Sequence, residues 1–359
     1  MNHDYYMKEA LNLARKGWPQ VSPNPAVGCI IVQGDEIVAS GYHEQFGGPH
    51  AEVNAINVLP ENISPSECTL YVTLEPCSHF GKTPPCSDLI ISKGFKTVVI
   101  ACQDPNPLVS GMGINKLKKA GIEVITGVLE AEAAELNKHF MTFHKEKRPY
   151  IILKWALTED GFISRTPVPA SQELNNITGQ KAKELVHKIR SETMAILVGK
   201  NTALADNPKL TTRLVKGRNP VRLLIDKNLG VPRSYNIYNE EAPIIIFNAN
   251  KESTEAHVRF IKLDFNGEIL PQLLRKLTDL NIQSVLVEGG ASTINRFLEK
   301  DNWDEAIVFQ NPDLFFGNGL KGPEFALKNT FELVGNDKLY HHFKNETMPV
   351  KEPENKEIF

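Results

Sequence analysis

The sequence is short of several things. It has five cysteines, an odd number and too few to staple 359 residues. A disulfide framework is therefore excluded, and a reducing, intracellular setting is expected, with thiols kept for metal or chemistry. It lacks an excess of either charge. Lys and Arg number 40 against 43 Asp and Glu, a formal net charge of -3, which excludes a protein that holds nucleic acid by bulk positive charge. No apolar run approaches the roughly 18 residues that a membrane helix needs, so no membrane partner is expected. Met1 to Tyr6 show no basic stretch followed by an apolar core, so no secretory signal is expected and the cytoplasm is the expected location. Internal repeats, low-complexity tracts and long charge blocks are also missing.

What remains is ordinary globular material, 41% hydrophobic and 23% charged. At about 150 residues per domain the length predicts roughly two domains. Residues 26–32 form a short apolar run, Gln33-Gly34-Asp35 supplies a turn, and residues 36–41 read as the hairpin partner. Strands are expected at 69–74 and 97–101, a helix at 114–120 stopped by Gly121, and one longer amphipathic helix over 130–147. Pro149 marks a boundary. Beyond it, strands are expected at 150–156, 195–198, 221–225, 244–247, 284–287 and 306–309, with helical stretches between. Such alternation predicts α/β sheets in both halves. The expected division is 1–147, 148–343 and a frayed tail over 344–359, rich in Lys, Glu, Pro and Asn.

The first half carries a metal-ligand pattern. His50 and Glu52 stand in Pro49-His50-Ala51-Glu52, Cys77 follows a strand in Glu75-Pro76-Cys77, and Cys86 closes the loop after it. One imidazole and two thiolates suit a tetrahedral zinc with its fourth position open to water. Zinc lowers the pKa of such a water to about 7 in the best-known case. Glu52 is the candidate proton carrier. On a regular helix residues two apart diverge, so His50 and Glu52 must share a first turn that faces a cleft. The order H-x-E then P-C matches the zinc deaminases, although their P-C-x-x-C is here P-C-x8-C. Cys29, Cys68 and Cys102 sit in or beside apolar runs and read as core.

The long insertion carries a resemblance. Cys77 to Cys86 resembles the P-C-x-H-x-G-[RK]-T-P-P-C segment of the bifunctional diaminohydroxyphosphoribosylaminopyrimidine deaminase and 5-amino-6-(5-phosphoribosylamino)uracil reductase family of riboflavin biosynthesis. Pro23-Asn24-Pro25-Ala26-Val27-Gly28, Gly41-Tyr42-His43 and Asp104-Pro105-Asn106-Pro107 are similar to further family segments. The resemblance implies a cytidine-deaminase-like first domain that binds zinc through His50, Cys77 and Cys86, with Glu52 catalytic. Asn24, His43, His79 and Lys82 would bind the substrate, a pyrimidine with a phosphoribosyl arm; His79 and Lys82 would hold its phosphate.

In the second half, Val287-Glu288-Gly289-Gly290-Ala291-Ser292-Thr293 follows a strand and opens a helix, a place where phosphate can approach the backbone. This segment is not the G-x-G-x-x-G fingerprint, so a Rossmann assignment is not made. Lys154 to Gly161 and Gly199 to Arg213 resemble the reductase segments K-x-A-x-S-x-D-G and G-x-x-T-x-x-x-D-N-P-x-L-T-x-R. The implied domain is dihydrofolate-reductase-like α/β and uses NADPH. By resemblance Arg190, Leu210, Arg213 and Glu288 contact the substrate. Ala156, Thr202, Asp206, Gly290, Ala291, Ser292, Thr293, Ile294, Asn295 and Arg296 contact NADPH, with Lys154 and Asp206 the polar candidates near hydride transfer. One departure stands out: where the family has G-E-S-x-W-I-T-G, Leu174 replaces the Ser and Asn176 the Trp. Trp155 is the candidate substitute for that aromatic ring.

Two alternatives remain at this stage. A single-activity zinc deaminase of a nucleoside or nucleic-acid base, with a non-catalytic second domain, is opposed by the near-neutral charge. A structural zinc module needs a fourth protein ligand, for which His79 or Cys68 is the candidate. Pairing into a homo-oligomer is left open.

Overall fold

The computed structural model describes residues 2–78, 84–107, 109–166 and 175–344. His79, Lys82, Leu174 and the expected tail beyond Lys344 lie outside the described residues. The chain divides into two compact units, the first mainly residues 1–149 and the second mainly those after it.

The first unit contains helices α1 (His3–Gly17), α2 (Ala51–Asn57), α3 (Cys86–Lys93), α4 (Met112–Lys119), α5 (Glu130–Leu136) and α6 (Lys138–Glu146). Its strands are β1 (Gly28–Gln33), β2 (Glu36–Tyr42), β3 (Cys68–Leu74), β4 (Thr97–Cys102) and β5 (Glu123–Thr126), in the order β2-β1-β3-β4-β5. The expected hairpin is β1–β2, antiparallel, turning at Gly34 with φ 59°. β3, β4 and β5 run parallel. Alternation along β1 and β3 explains the layering. Cys29, Ile31, Leu70 and Val72 enter one core with Ala51 and Ala55 of α2 and Leu117 of α4. Ile30, Val32 and Tyr71 enter another with Met7, Ala10 and Leu11 of α1. Both faces of the sheet are thus covered by helices.

The backbone approaches closely around the end of β2. A Cβ on Gly17 would stand 2.2 Å from the His43 carbonyl oxygen, and one on Gly41 would stand 2.4 Å from the Ala55 nitrogen of α2. The expected single helix over 130–147 is corrected. It is two helices, broken at Asn137 (φ -109°, ψ 25°). Asn137 is buried and its side chain bonds the backbone of Ala26 instead of facing water along a continuous helix.

The second unit has helices α7 (Gln180–Glu192), α8 (Lys200–Asp206), α9 (Ile269–Asp279) and α10 (Ala291–Glu299). Its strands are β6 (Tyr150–Thr158), β7 (Phe162–Arg165), β8 (Ala195–Gly199), β9 (Val221–Ile225), β10 (Ile244–Asn248), β11 (Ser253–Glu255), β12 (Val258–Lys262), β13 (Ser284–Val287), β14 (Glu305–Asn311), β15 (Gly319–Lys321), β16 (Glu332–Val334) and β17 (Asp337–Phe343). Ten of these form one sheet, β11-β12-β10-β9-β8-β13-β6-β14-β17-β16, parallel from β12 through β14. Ile196, Val198, Leu224, Ile246 and Leu286 pack with Ala182 and Val186 of α7 as the core of one face. In such a sheet ligands bind outside the carboxyl ends of the strands. Here those ends open onto α8 and α10.

Candidate functional site

His50 is the N-cap of α2, in extended backbone (φ -73°, ψ 162°), and Glu52 lies in the first turn behind it. Because His50 is not itself helical, the divergence of residues two apart on a helix does not apply. Cys77 leaves β3 after Pro76, and Cys86 is the first residue of α3. These elements gather the three side chains. His50 Nδ1 lies 3.7 Å from Cys77 Sγ and 3.4 Å from Cys86 Sγ, and all the ligand atoms fall within 4.8 Å of one another. Tetrahedral zinc bonds of about 2.05 Å to nitrogen and 2.3 Å to sulfur place such atoms roughly 3.6 Å apart, so the donor set fits zinc. Among the described residues no fourth His, Cys, Asp or Glu joins the cluster. Cys68 is buried in the core and donates to Ser64 O. Cys29 and Cys102 are buried as well.

One of the two sulfurs is anionic in tendency. Cys77 is pulled well down, first by a hydrogen bond from the Cys86 thiol, with His50 and the Cys86 backbone N–H adding to it. Cys86 is correspondingly pushed up, so one proton is shared where a dication fits. Glu52 is 4% exposed, and burial raises its carboxyl to about 7. A proton carrier works best at such a value.

Two further groups shape this centre. His43 is buried; its Nδ1–H donates to Pro49 O at 2.8 Å, so its Nε2 accepts from Asn24 Nδ2 at 3.0 Å. The His43 and His50 rings meet edge to face at 5.6 Å. Glu75, two residues before Cys77, is a buried carboxylate that accepts four backbone N–H groups, from Asp104, Gly111, Gly113 and Ile114, at 2.8–3.2 Å. It fastens the Asp104–Gly111 segment and the start of α4 beside the metal ligands.

The second unit holds a cleft of about 1080 Å³ at the carboxyl ends of its strands. Lys154, Ala156, Arg190, Thr202, Asp206, Leu210, Arg213 and Glu288 all line it. Arg190 clasps Glu288 with two bonds of 2.8 Å. Burial alone would raise Glu288, but Arg190 and Lys154 bring its carboxyl down to about 2. Burial lowers Lys154 and raises Asp206. Arg190 and Arg213 both reach the Thr211 carbonyl oxygen at 3.4 Å. Arg190, Arg213 and Lys154 gather on the Glu288 side of a cleft whose other acidic lining residue is Asp206, so basic side chains outnumber acidic ones, a balance suited to an anionic ligand. Leu210 sits at φ 56°, strained for a residue with a side chain and held so at the cleft. Gly290 donates to Thr202 Oγ1 at 2.9 Å, fixing the Gly-Gly turn against α8.

Comparison with known proteins agrees on both units. The cytidine and deoxycytidylate deaminase zinc-binding region matches residues 1–102, and the RibD C-terminal domain matches residues 149–332. The riboflavin biosynthesis protein RibD of Aquifex aeolicus is 44% identical over 333 residues, 91% of each chain. The chain belongs to the RibD family. RibD of Escherichia coli is 38% identical, over 90% of each chain. The crystal structure of the Thermotoga maritima diaminohydroxyphosphoribosylaminopyrimidine deaminase/5-amino-6-(5-phosphoribosylamino)uracil reductase is similar with TM-score 0.83 and 40% identity. It covers 94% of this chain and 97% of that one. Acinetobacter baumannii RibD gives TM-score 0.84 at 31% identity, covering 95% and 98%. The RibD architecture, a cytidine-deaminase-like unit followed by a dihydrofolate-reductase-like unit, is the fold of this chain.

The α10 stretch meets the cleft with part of its surface. Of the α10 stretch, Gly290, Ala291, Ser292, Thr293 and Arg296 line the cleft, whereas Ile294 and Asn295 do not. Ile294 is fully buried, because a helix turns about 100° per residue and this position faces the core. Trp155 borders the cleft too, with its ring engaged elsewhere. Strand alternation sends its side chain away from the face that carries Lys154 and Ala156, and its ring packs edge-on to Phe325 at 5.4 Å. Asn176 does line the cleft. Glu75 and His187 stand in segments that the sequence marks, but nothing in the sequence assigns a role to either. His187 is buried under Arg190 and accepts the Arg213 N–H at 2.9 Å. Among the described residues no helix is long and apolar enough to cross a membrane.

Proposed function

We propose that residues 1–147 deaminate 2,5-diamino-6-(5-phosphoribosylamino)pyrimidin-4-one and that residues 148–343 reduce the ribosyl chain of the product to a ribityl chain. The reading rests on family membership, and the observation that carries it is the three-ligand cluster with a buried, raised carboxyl two residues from its histidine. A protein of this family is a bifunctional enzyme, hydrolase and oxidoreductase, of riboflavin biosynthesis.

In the first unit, His50, Cys77 and Cys86 would hold zinc, which acidifies a water to supply the nucleophile at neutral pH. Glu52 takes the proton and delivers it to the ring nitrogen and then to the departing amine, so that ammonia leaves and a carbonyl remains. Asn24 and His43 hold the polar edges of the substrate, with His79 and Lys82 the residues for its phosphate. In the second unit, Ala156, Thr202, Asp206, Gly290–Thr293 and Arg296 would hold NADPH, which would supply the hydride for the sugar carbon attached to the amine. Arg190, Arg213 and Leu210 hold the phosphoribosyl substrate, Glu288 orients Arg190, and Lys154 and Asp206 stand where charge develops. The cysteines are all unpaired, which accords with a cytoplasmic site of action.

The test is one assay with purified protein and the phosphoribosyl pyrimidine, following ammonia and NADPH absorbance together. Ammonia should appear first and NADPH should be consumed only after it, and a chelator should stop both. With the deaminated substrate supplied, the chelator should no longer matter. NADPH oxidation that precedes ammonia release would overturn the order, and undiminished deamination after metal removal would overturn the chemistry.

A further inference from the structure

Asn137 stands where a helix N-cap stands, at the start of α6, and Asn is among the best capping residues. It does not cap. Its side chain makes no hydrogen bond to the first turn of α6. Instead it crosses to Ala26, 111 positions earlier in the chain, and satisfies both backbone groups of that residue. Ala26 N–H donates to Oδ1 at 2.7 Å, and Nδ2 donates to Ala26 O at 3.0 Å. Only an uncharged amide offers both an acceptor and a donor in this arrangement. Asn137 is 2% exposed, so neither bond is shared with water.

Ala26 lies two residues from Asn24, with Pro25 between them, whose ring fixes φ and makes the link stiff. Asn24 donates from Nδ2 to His43 Nε2 at 3.0 Å, and His43 donates from Nδ1 to Pro49 O at 2.8 Å, next to His50. His43 N–H is itself held by Val27 O at 2.9 Å. The amide of Asn24 is thereby oriented. Its Nδ2 is committed to His43, and among the described residues its Oδ1 has no protein partner.

We propose that Asn137 is a positioning residue of the deaminase: gripping Ala26 from behind, it sets the Pro23–Val27 segment so that Asn24 presents Oδ1 to a donor on the pyrimidine or its sugar. The helix break at 137 is the device that frees this side chain. The proposal rests on the deaminase reading given above, and it assigns the residue to substrate binding, not to metal binding or proton transfer.

The test uses the full-length zinc-loaded enzyme with Asn137→Ala, Asn137→Asp, Asn24→Ala and the double variant Asn137→Ala/Asn24→Ala. Asn137→Asp keeps the acceptor for Ala26 N–H but sets a second carboxyl oxygen against Ala26 O where the donor stood. Zinc per chain, reductase turnover with deaminated substrate, and deaminase KM and kcat are measured together. Both Asn137 variants should raise deaminase KM, by about tenfold in Asn137→Ala, with kcat, zinc content and reductase turnover unchanged. The double variant should show no KM increase beyond that of Asn24→Ala, because both changes remove one and the same contact. A fall in kcat at unchanged KM, KM effects that multiply in the double variant, or failure of both Asn137 variants to fold would each overturn the proposal. If the wild-type enzyme itself releases no ammonia from this pyrimidine, the deaminase reading has failed, and this is seen before any variant is compared.

Discussion

The two sites of this chain are built on opposite plans. The metal centre is local: His50, Cys77 and Cys86 sit at the start of one short helix, in the loop after one strand, and at the start of another helix. Its ligands and its carboxyl all fall between residues 50 and 86. The reductive cleft is distributed. Lys154 comes from β6, Arg190 from α7, Arg213 from a long connection and Glu288 from the end of β13, and their charges set one another's ionisation. A local site can lose its chemistry and keep its fold. A distributed site of buried charges shares its groups with the core, so losing one of them disturbs both.

The sharpest way to break this contrast is Glu52→Gln. Deamination should fall by roughly a hundred- to ten-thousandfold, with thermal stability and reductase turnover intact. A variant that still deaminates at the wild-type rate removes Glu52 from the chemistry. Glu288→Ala is the counterpart in the cleft. It leaves Arg190 buried without its carboxylate, so reduction should be lost and the second unit should be destabilised by about 3–5 kcal/mol in denaturant unfolding. Loss of reduction at unchanged stability would mean that the pair is not a structural one.

Glu75→Gln probes the border between the two plans, since this carboxylate is structural yet adjoins Cys77. Exchanging an acceptor of four N–H groups for an amide should cost roughly 1–3 kcal/mol in stability of the first unit, with zinc retained. Zinc loss at unchanged stability would instead make it part of the metal centre. The most gradual effect is expected from pH. Burial, then Arg190 and Arg213, push His187 down to about 4, so the folded chain refuses a proton that the unfolded chain accepts at its ordinary value of 6.5. Stability is therefore complete above pH 6.5 and declines as the pH falls toward 4. Melting temperatures at pH 4.5 and 7.5 should converge in His187→Asn. An unaltered acid slope would exclude His187 as its source.

Local chemistry was legible in the sequence and distributed chemistry only by likeness. His50, Cys77 and Cys86 declare themselves because metal ligands must be particular residue types, Glu52 because a proton carrier must be titratable, and the strands around them announce themselves as β-branched runs. Glu75 was invisible, since its four partners are backbone N–H groups, which carry no residue identity. The break at Asn137 was invisible for a related reason: the Ala, Glu and Lys around it favour helix, and the tertiary bond to Ala26 overrides that propensity. Arg190, Arg213 and Glu288 could be named from motif likeness, but nothing in their spacing shows that they meet. The stretch Gly290–Arg296 was likewise named from motif likeness, and a helix turns only part of such a stretch toward a cleft, here Gly290–Thr293 and Arg296.

The crossings at Gly17 and Gly41 carry a last implication. Main chain meets main chain there, on either side of the segment that delivers His43, with clearances of 2.2 and 2.4 Å to a hypothetical methyl carbon. Neither crossing can be widened by trading one side chain for another. A single-carbon addition at either glycine, far milder on paper than replacing a metal ligand, would wedge a helix away from the strand and carry the imidazole with it. Anyone redesigning the pyrimidine pocket of this enzyme should treat those two empty positions as fixed tooling, and seek variation in the side chains that face the substrate.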